Sequence, residues 1–185
     1  MIELEDITLK EYFELEEKEN YDFAIKYSKS VFNKPLDIFK IGDMTELSFG
    51  LIKDLQYDIE QGLSWMKFLD YLEEITGIDV KKIVNYKLTA ICRVRSYILK
   101  EIERINEIEN ELLAYYPDSD EKNAGIDEFN KFGNYGQLRK LANEDVTKLD
   151  EVKKIKYSIG LMELYYQRVE SDYQLRLMKI KSKKH

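Results

Sequence analysis

An all-α fold, an irregular helical bundle around one long central helix at about 80–115 with a further helix at the C-terminus, is what this sequence predicts. Three observations carry the expectation. Only 8 Gly and 2 Pro occur in 185 residues, so few positions stop a helix by themselves. Much of the charge and apolar content sits on Glu, Lys and Leu, whose straight side chains lose little rotamer freedom in a helix. Apolar residues then recur at three- and four-residue spacing between recognisable caps. With 44% hydrophobic residues the chain can build a core, and its length suits one compact unit. Within that unit we expect an N-terminal helical region, 1–116, carrying the spine, and a C-terminal helical region, 117–185.

The elements follow from local chemistry. Thr8-Leu9-Lys10-Glu11 reads as a capping box that starts a polar helix to about Glu19, with a second helix to about Ser30 before Pro35. The stretch from Leu36 to Gly42 carries Ile38, Phe39 and Ile41. It has no matching strand to pair with, so it reads as a loop docked on the core. Helix resumes near Thr45, with Leu47, Leu51, Leu55 and Ile59 on one stripe, and Gly62 ends it. Ser64 caps the next helix, which carries Trp65, Phe68, Leu69 and Leu72 and stops at Gly77. Asp79 opens the long element, where Val84, Leu88, Ile91, Ile98, Ile102, Ile105 and Leu112 follow a seam of about 3.5 residues. Arg95 and Glu109 are its polar exceptions. That seam suits a partner subunit's helix, or the spine of this chain's own bundle; other amphipathic segments in need of a surface favour the spine. Tyr116-Pro117-Asp118-Ser119-Asp120 breaks the chain. Short helices follow at about Glu121–Phe132 and Tyr135–Leu141, then a turn at Asn143-Glu144-Asp145. Thr147 with Asp150 suggests a cap for a helix to about Lys154. The last helix, from about Tyr157 to Lys181, is expected to bury Leu161, Leu164, Tyr165, Val169, Tyr173 and Leu177.

Composition also excludes chemistry. One Cys allows no intrachain disulfide, which makes a reducing cytosolic setting the default, and neither a signal segment nor a long apolar span is evident. The single histidine, His185, is terminal, so the Glu-x-x-His pairs of a di-iron bundle are absent and no metal site or cofactor is expected. The cluster of Glu101, Glu103, Glu107, Glu109 and Glu111 reads as a solvated helix face. Cys92 lies in an apolar run with no histidine to act as its base, so it reads as a buried structural thiol. Gly133 with Gly136 lacks the Lys and the spacing of a phosphate-binding loop. We therefore expect no enzyme and no catalytic residues. A net charge of -7 provides no field for nucleic acid, except at the basic end formed by Arg176, Lys179, Lys181, Lys183 and Lys184. Those cations also suit a helix C-terminus.

The excess is aromatic, with 14 Tyr and 8 Phe. Tyrosine buries a large ring yet keeps a polar tip, which fits surfaces that are covered at some times and wet at others. Tyr115, Tyr116, Tyr165, Tyr166 and Tyr173, in strongly charged surroundings, are the candidate protein-binding residues. Wedging of short helices, or the codon bias of an AT-rich genome, would enrich tyrosine as well.

Three blocks resemble small, all-helical proteins from the structural gene clusters of tailed phages, especially those of Bacteroides-type hosts. They are Tyr21-Asp22-Phe23-Ala24-Ile25-Lys26-Tyr27, the run from Gly42-Asp43 through Lys53-Asp54-Leu55-Gln56-Tyr57-Asp58 to Gly62-Leu63-Ser64-Trp65, and 143–152 with the terminal helix. The third, Asn143-Glu144-Asp145-Val146-Thr147-Lys148-Leu149-Asp150-Glu151-Val152, is similar to the C-terminal segment of phage tail assembly chaperones. Leu149 stands where that segment has an aromatic. The resemblance implies a non-enzymatic morphogenesis protein that acts in the host cytoplasm, binding the tape-measure protein or other virion subunits. Two further readings are open: a homo-oligomeric neck, ring or connector subunit in the virion, and a small inhibitor directed at a host protein.

Overall fold

The computed structural model describes residues 7–15 and 37–182. The expected helices to Glu19 and Ser30, the Pro35 break, the Tyr21–Tyr27 block, and Lys183, Lys184 and His185 lie outside the described residues. Among the described residues the fold is all-α, with two isolated bridge pairs and no strand. The helices are α1 (Leu9–Glu14), α2 (Phe49–Glu60), α3 (Trp65–Thr76), α4 (Val80–Ile83), α5 (Leu88–Leu113), α6 (Ser119–Asn123), α7 (Tyr135–Leu141), α8 (Leu149–Lys154) and α9 (Tyr157–Ser182). Two compact units share them. The first holds the described residues up to Met44 together with Asp54–Arg104; the second holds Thr45–Lys53 and the chain from Ile105 onward.

In the first unit the caps fall where the sequence places them. Thr8 and Glu11 form the reciprocal capping box of α1, and the Thr8 backbone N–H on the Glu11 carboxylate, at 2.7 Å, holds that acid below its ordinary range. Ser64 accepts from the Lys67 N–H at the start of α3, and Gly77, at φ 69°, ends it. The inner face of α3 buries Phe68, Leu69 and Leu72 completely, each contributing about 1.5–3 kcal/mol. Residues Asp37–Phe39 form a 3-10 turn rather than a strand, and buried Phe39 packs edge-on against Tyr86 at 5.5 Å.

The long element differs from expectation at its start. A break separates α4 from α5, because the N-terminal segment takes over the backbone there. The Leu9 and Lys10 N–H groups donate to the Tyr86 and Val84 carbonyls, and the Leu88 N–H donates to the Ile7 carbonyl. Thr8 bridges Lys87 antiparallel. Tertiary hydrogen bonds thus replace the helical ones that 84–87 would otherwise make. Beyond the break, Leu88, Ile91, Ile98, Ile102 and Ile105 are buried, so the seam is the chain's own spine. Arg95, its first polar exception, lays its guanidinium 4.8 Å over the Trp65 ring and donates to the Leu63 carbonyl at 3.0 Å.

The second unit is organised by its other exception. Glu109 was expected on a solvated face; instead it accepts from Lys53 Nζ at 2.5 and 2.6 Å, from Gln137 at 2.7 Å and from the Tyr157 hydroxyl at 2.9 Å. The Lys53 and Glu109 side chains are only 4% and 13% exposed. Burial pushes the Glu109 carboxyl up, but the Lys53 charge and these donors outweigh it and hold the acid below its ordinary range. The Lys53 ammonium also lies 5.5 Å over the Phe49 ring and 5.7 Å over Tyr157. Nothing in a helical wheel of one segment reveals this clamp, since its members come from α2, α5, α7 and α9.

The connections between 114 and 156 hold three more departures. Asp118, with Glu121, caps α6, which is only five residues long. Gly125 (φ 83°) ends that helix, and residues Ile126–Phe132 wind as a 3-10 turn instead of continuing to Phe132 as one helix. Thr147 does not cap the helix to Lys154: Asp145, accepting from the Thr147 N–H and hydroxyl, caps a 3-10 turn at Val146–Lys148, and α8 follows from Lys148 with no side-chain cap. Asn143 and Glu144 both take positive φ in the turn before it.

Candidate protein-binding surface

The surface is built on α9, whose first turns are pinned in the second unit. The Tyr157 N–H donates to the Leu47 carbonyl at 2.8 Å, the Phe49 N–H to the Ile155 carbonyl at 2.7 Å, and Ser48 bridges Lys156. Phe49 and Tyr157 stack at 5.6 Å. Gly160 permits this approach, because a Cβ at 160 would stand 2.5 Å from the Phe49 ring. Tyr157, Gly160, Leu161 and Leu164 form the buried face. One turn further on, Arg168 donates to the Leu113 carbonyl at 2.5 Å, and beyond it almost every residue of α9 is exposed.

Here the structure corrects the sequence reading. Leu161 and Leu164 are buried as expected and Tyr165 is half-buried, but Val169 and Tyr173 are exposed. They belong to a different stripe: Ile159, Met162, Tyr166, Val169, Tyr173 and Ile180, each between 45% and 62% exposed. The spacing is three, four, three, four and seven, with Arg176 filling the gap. This is the a/d repeat of a helix that packs on another helix. Leu175 and Met178, 53% and 64% exposed, lie off this row, so toward its end α9 is apolar on several sides.

The five tyrosines singled out from the sequence are therefore not one site. Tyr166 and Tyr173 share the stripe, two turns apart, while Tyr165 is a neighbour turned partly inward. Tyr115 and Tyr116 lie on the connection after α5. The Tyr115 hydroxyl donates to Glu121, which raises its pKa, and Tyr116 is 87% exposed. Phe129 and Phe132 are also exposed, in the 3-10 turn. Ile159, Met162, Val169 and Ile180 were missed as surface residues. The signal that finds them is the second periodicity in α9, offset from the Leu161–Leu164 face.

Charge is graded along the same helix. Between Tyr157 and Asp172 it carries Glu163, Glu170 and Asp172 against Arg168; from Tyr173 to Ser182 it carries only Arg176, Lys179 and Lys181. Cys92 is buried, and burial pushes its thiol up to about 12, which suits packing and not nucleophilic attack. Among the described residues no group of three or more His, Cys, Asp or Glu is placed to hold a metal ion, and no helix is long and apolar enough to cross a membrane.

These features define an all-α protein whose C-terminal helix is buried on one face in its first turns and carries a row of exposed apolar side chains along another. No protein-family model, curated protein or solved structure matches the chain.

Proposed function

We propose that this chain is a non-enzymatic assembly protein of bacteriophage morphogenesis, acting in the host cytoplasm in the manner of a tail assembly chaperone. It holds a helical segment of another virion protein, such as the tape-measure protein, against α9. The single observation that carries this reading is the exposed stripe from Ile159 to Ile180. An amphipathic partner helix laid along it would bury the tyrosine rings while their hydroxyls stay at the wet rim. Tyr115, Tyr116, Phe129 and Phe132 offer further aromatic contacts.

Two observations favour this over the other readings. The seam of α5, which motivated a ring or neck subunit, is consumed inside the chain. The acidic face from Glu101 to Glu111, which motivated a host-directed inhibitor, loses Glu109 to the buried clamp. Co-expression with the tape-measure protein from the same gene cluster tests the proposal. A soluble complex that is lost in the variant Tyr166→Glu/Tyr173→Glu supports it. If no tape-measure fragment binds, or if the chain is a stoichiometric component of purified virions, the chaperone reading fails.

A further inference from the structure

We infer that in the absence of another protein the stripe on α9 is covered by α9 of a second copy of this chain, running antiparallel. The inference goes beyond the assembly role proposed above, since it concerns the chain alone and holds whatever its partner.

The occupant is argued from periodicity and charge. The stripe spans three heptads, from Ile159 to Ile180, which matches the seam of a two-helix coil in both spacing and length. Identical helices close such a seam on a two-fold axis, leaving no open surface to propagate. Direction follows from the charge gradient. Parallel pairing stacks Arg176 on Arg176 and lysines on lysines at one end, and Glu163 on Glu163 at the other. Antiparallel pairing sets the acidic half of each helix beside the basic half of the other. One register sets Met162 against Ile180, Tyr166 against Arg176, and Val169 against Tyr173 of the second copy, each layer occurring twice, so that two layers in three are apolar and the third pairs a tyrosine with an arginine. In it Glu163 of one copy lies level with Lys179 of the other, on opposite flanks of the seam, so their attraction acts across the helix pair and not as a contact, and the guanidinium at the seam meets a tyrosine face, where a cation is favourable. Glu170 and Asp172 meet their own copies at the centre, with Arg168 of each chain beside them; Arg168 already lies 3.9 Å from Asp172 within its own helix.

Light scattering on the purified full-length chain, across the micromolar range, should give twice the 22.1 kDa chain mass. The variant Tyr166→Glu/Tyr173→Glu should give the monomer mass with unchanged far-ultraviolet circular dichroism, because both side chains are exposed. A wild-type chain that stays monomeric overturns the inference, as does a variant that remains dimeric. Direction is read by oxidative cross-linking of Met162→Cys and Ile180→Cys chains, the native thiol at Cys92 being buried. Each variant alone should give no disulfide-linked dimer and the equimolar mixture should give the mixed dimer. Self-linked dimers of either variant overturn the antiparallel arrangement. Neither result depends on tape-measure binding, so this inference and the chaperone proposal fail separately.

Discussion

Replacing Lys53 by Met removes one charge from the clamp and leaves the Glu109 carboxylate buried without its counter-ion. At 2.5 Å and an effective dielectric of about 20, the lost Coulomb attraction is about 7 kcal/mol. Against it stands the desolvation of two ions, several kcal/mol each, which the intact pair has already met. The two nearly cancel in the native protein, so the pair adds little net stability while the loss of one member costs about 3–5 kcal/mol. Gln137 and Tyr157 still donate to Glu109 in the variant, which places the cost nearer the lower figure. For a chain of this length that corresponds to a fall of about 6–20 °C in Tm. Urea denaturation followed by circular dichroism measures it, and Trp65, the only tryptophan, reports the first unit separately. The double variant Lys53→Met/Glu109→Gln should recover at least half of the loss, because a neutral amide has no charge to strand. A single variant within about 1 kcal/mol of wild type would refute the reasoning. So would a double variant whose losses simply add, since residues in one network are expected to couple by about 0.5–3 kcal/mol.

The same carboxylate makes an acid-side prediction. Because the folded protein holds Glu109 below its ordinary value of 4.5, its contribution is present above that pH and lost as pH falls through the lower folded value. Urea midpoints measured as pH falls below 4.5 should therefore drop more steeply for wild type than for Glu109→Gln. Two glycines should respond oppositely to alanine. Gly160→Ala drives a Cβ into the Phe49 ring and should cost about 1–3 kcal/mol, whereas Gly136→Ala meets nothing within 4 Å in α7 and should gain about 0.4–1 kcal/mol, both read from urea midpoints. Cys92 should react with a thiol-specific chromogenic reagent only as fast as the protein opens, so denaturant should accelerate labelling by orders of magnitude; prompt reaction in native buffer would contradict its burial.

Local chemistry was legible in the sequence wherever it is enforced locally. Ser64, Gly62, Gly77, Asp79 and the Thr8–Glu11 box act within a turn of their own residues, and each does what its side chain or backbone freedom dictates. What escaped was set by contacts distant in sequence. Residues 84–87 carry no breaker, and the helix is interrupted because residues 7–10 supply competing hydrogen bonds. Glu109 looked solvated because its neighbours along the chain are acidic, and its partner Lys53 is 56 residues away. In α9 two apolar rows overlap, and periodicity alone gives no means of choosing which one a body covers. Gly160 could have decided it, since a glycine inside a helix beside Leu161 and Leu164 marks a close approach on that face.

The division of the chain has a consequence for its modularity. Of the three unit boundaries, two fall inside α-helices, between Lys53 and Asp54 in α2 and between Arg104 and Ile105 in α5, and the third, between Met44 and Thr45, falls in the 3-10 turn Met44–Glu46. No single cut in the gene separates the units, because each is assembled from two stretches of chain and a cut at any of the three boundaries severs a helical turn. An exchange of either unit through a single joint therefore has no clean place to fall. A truncation in the connection from Ala114 to Asp118 leaves every helix whole yet removes Gln137 and Tyr157 from the Glu109 clamp and the ring that stacks on Phe49, so a series of end points there should lose the second unit's fold.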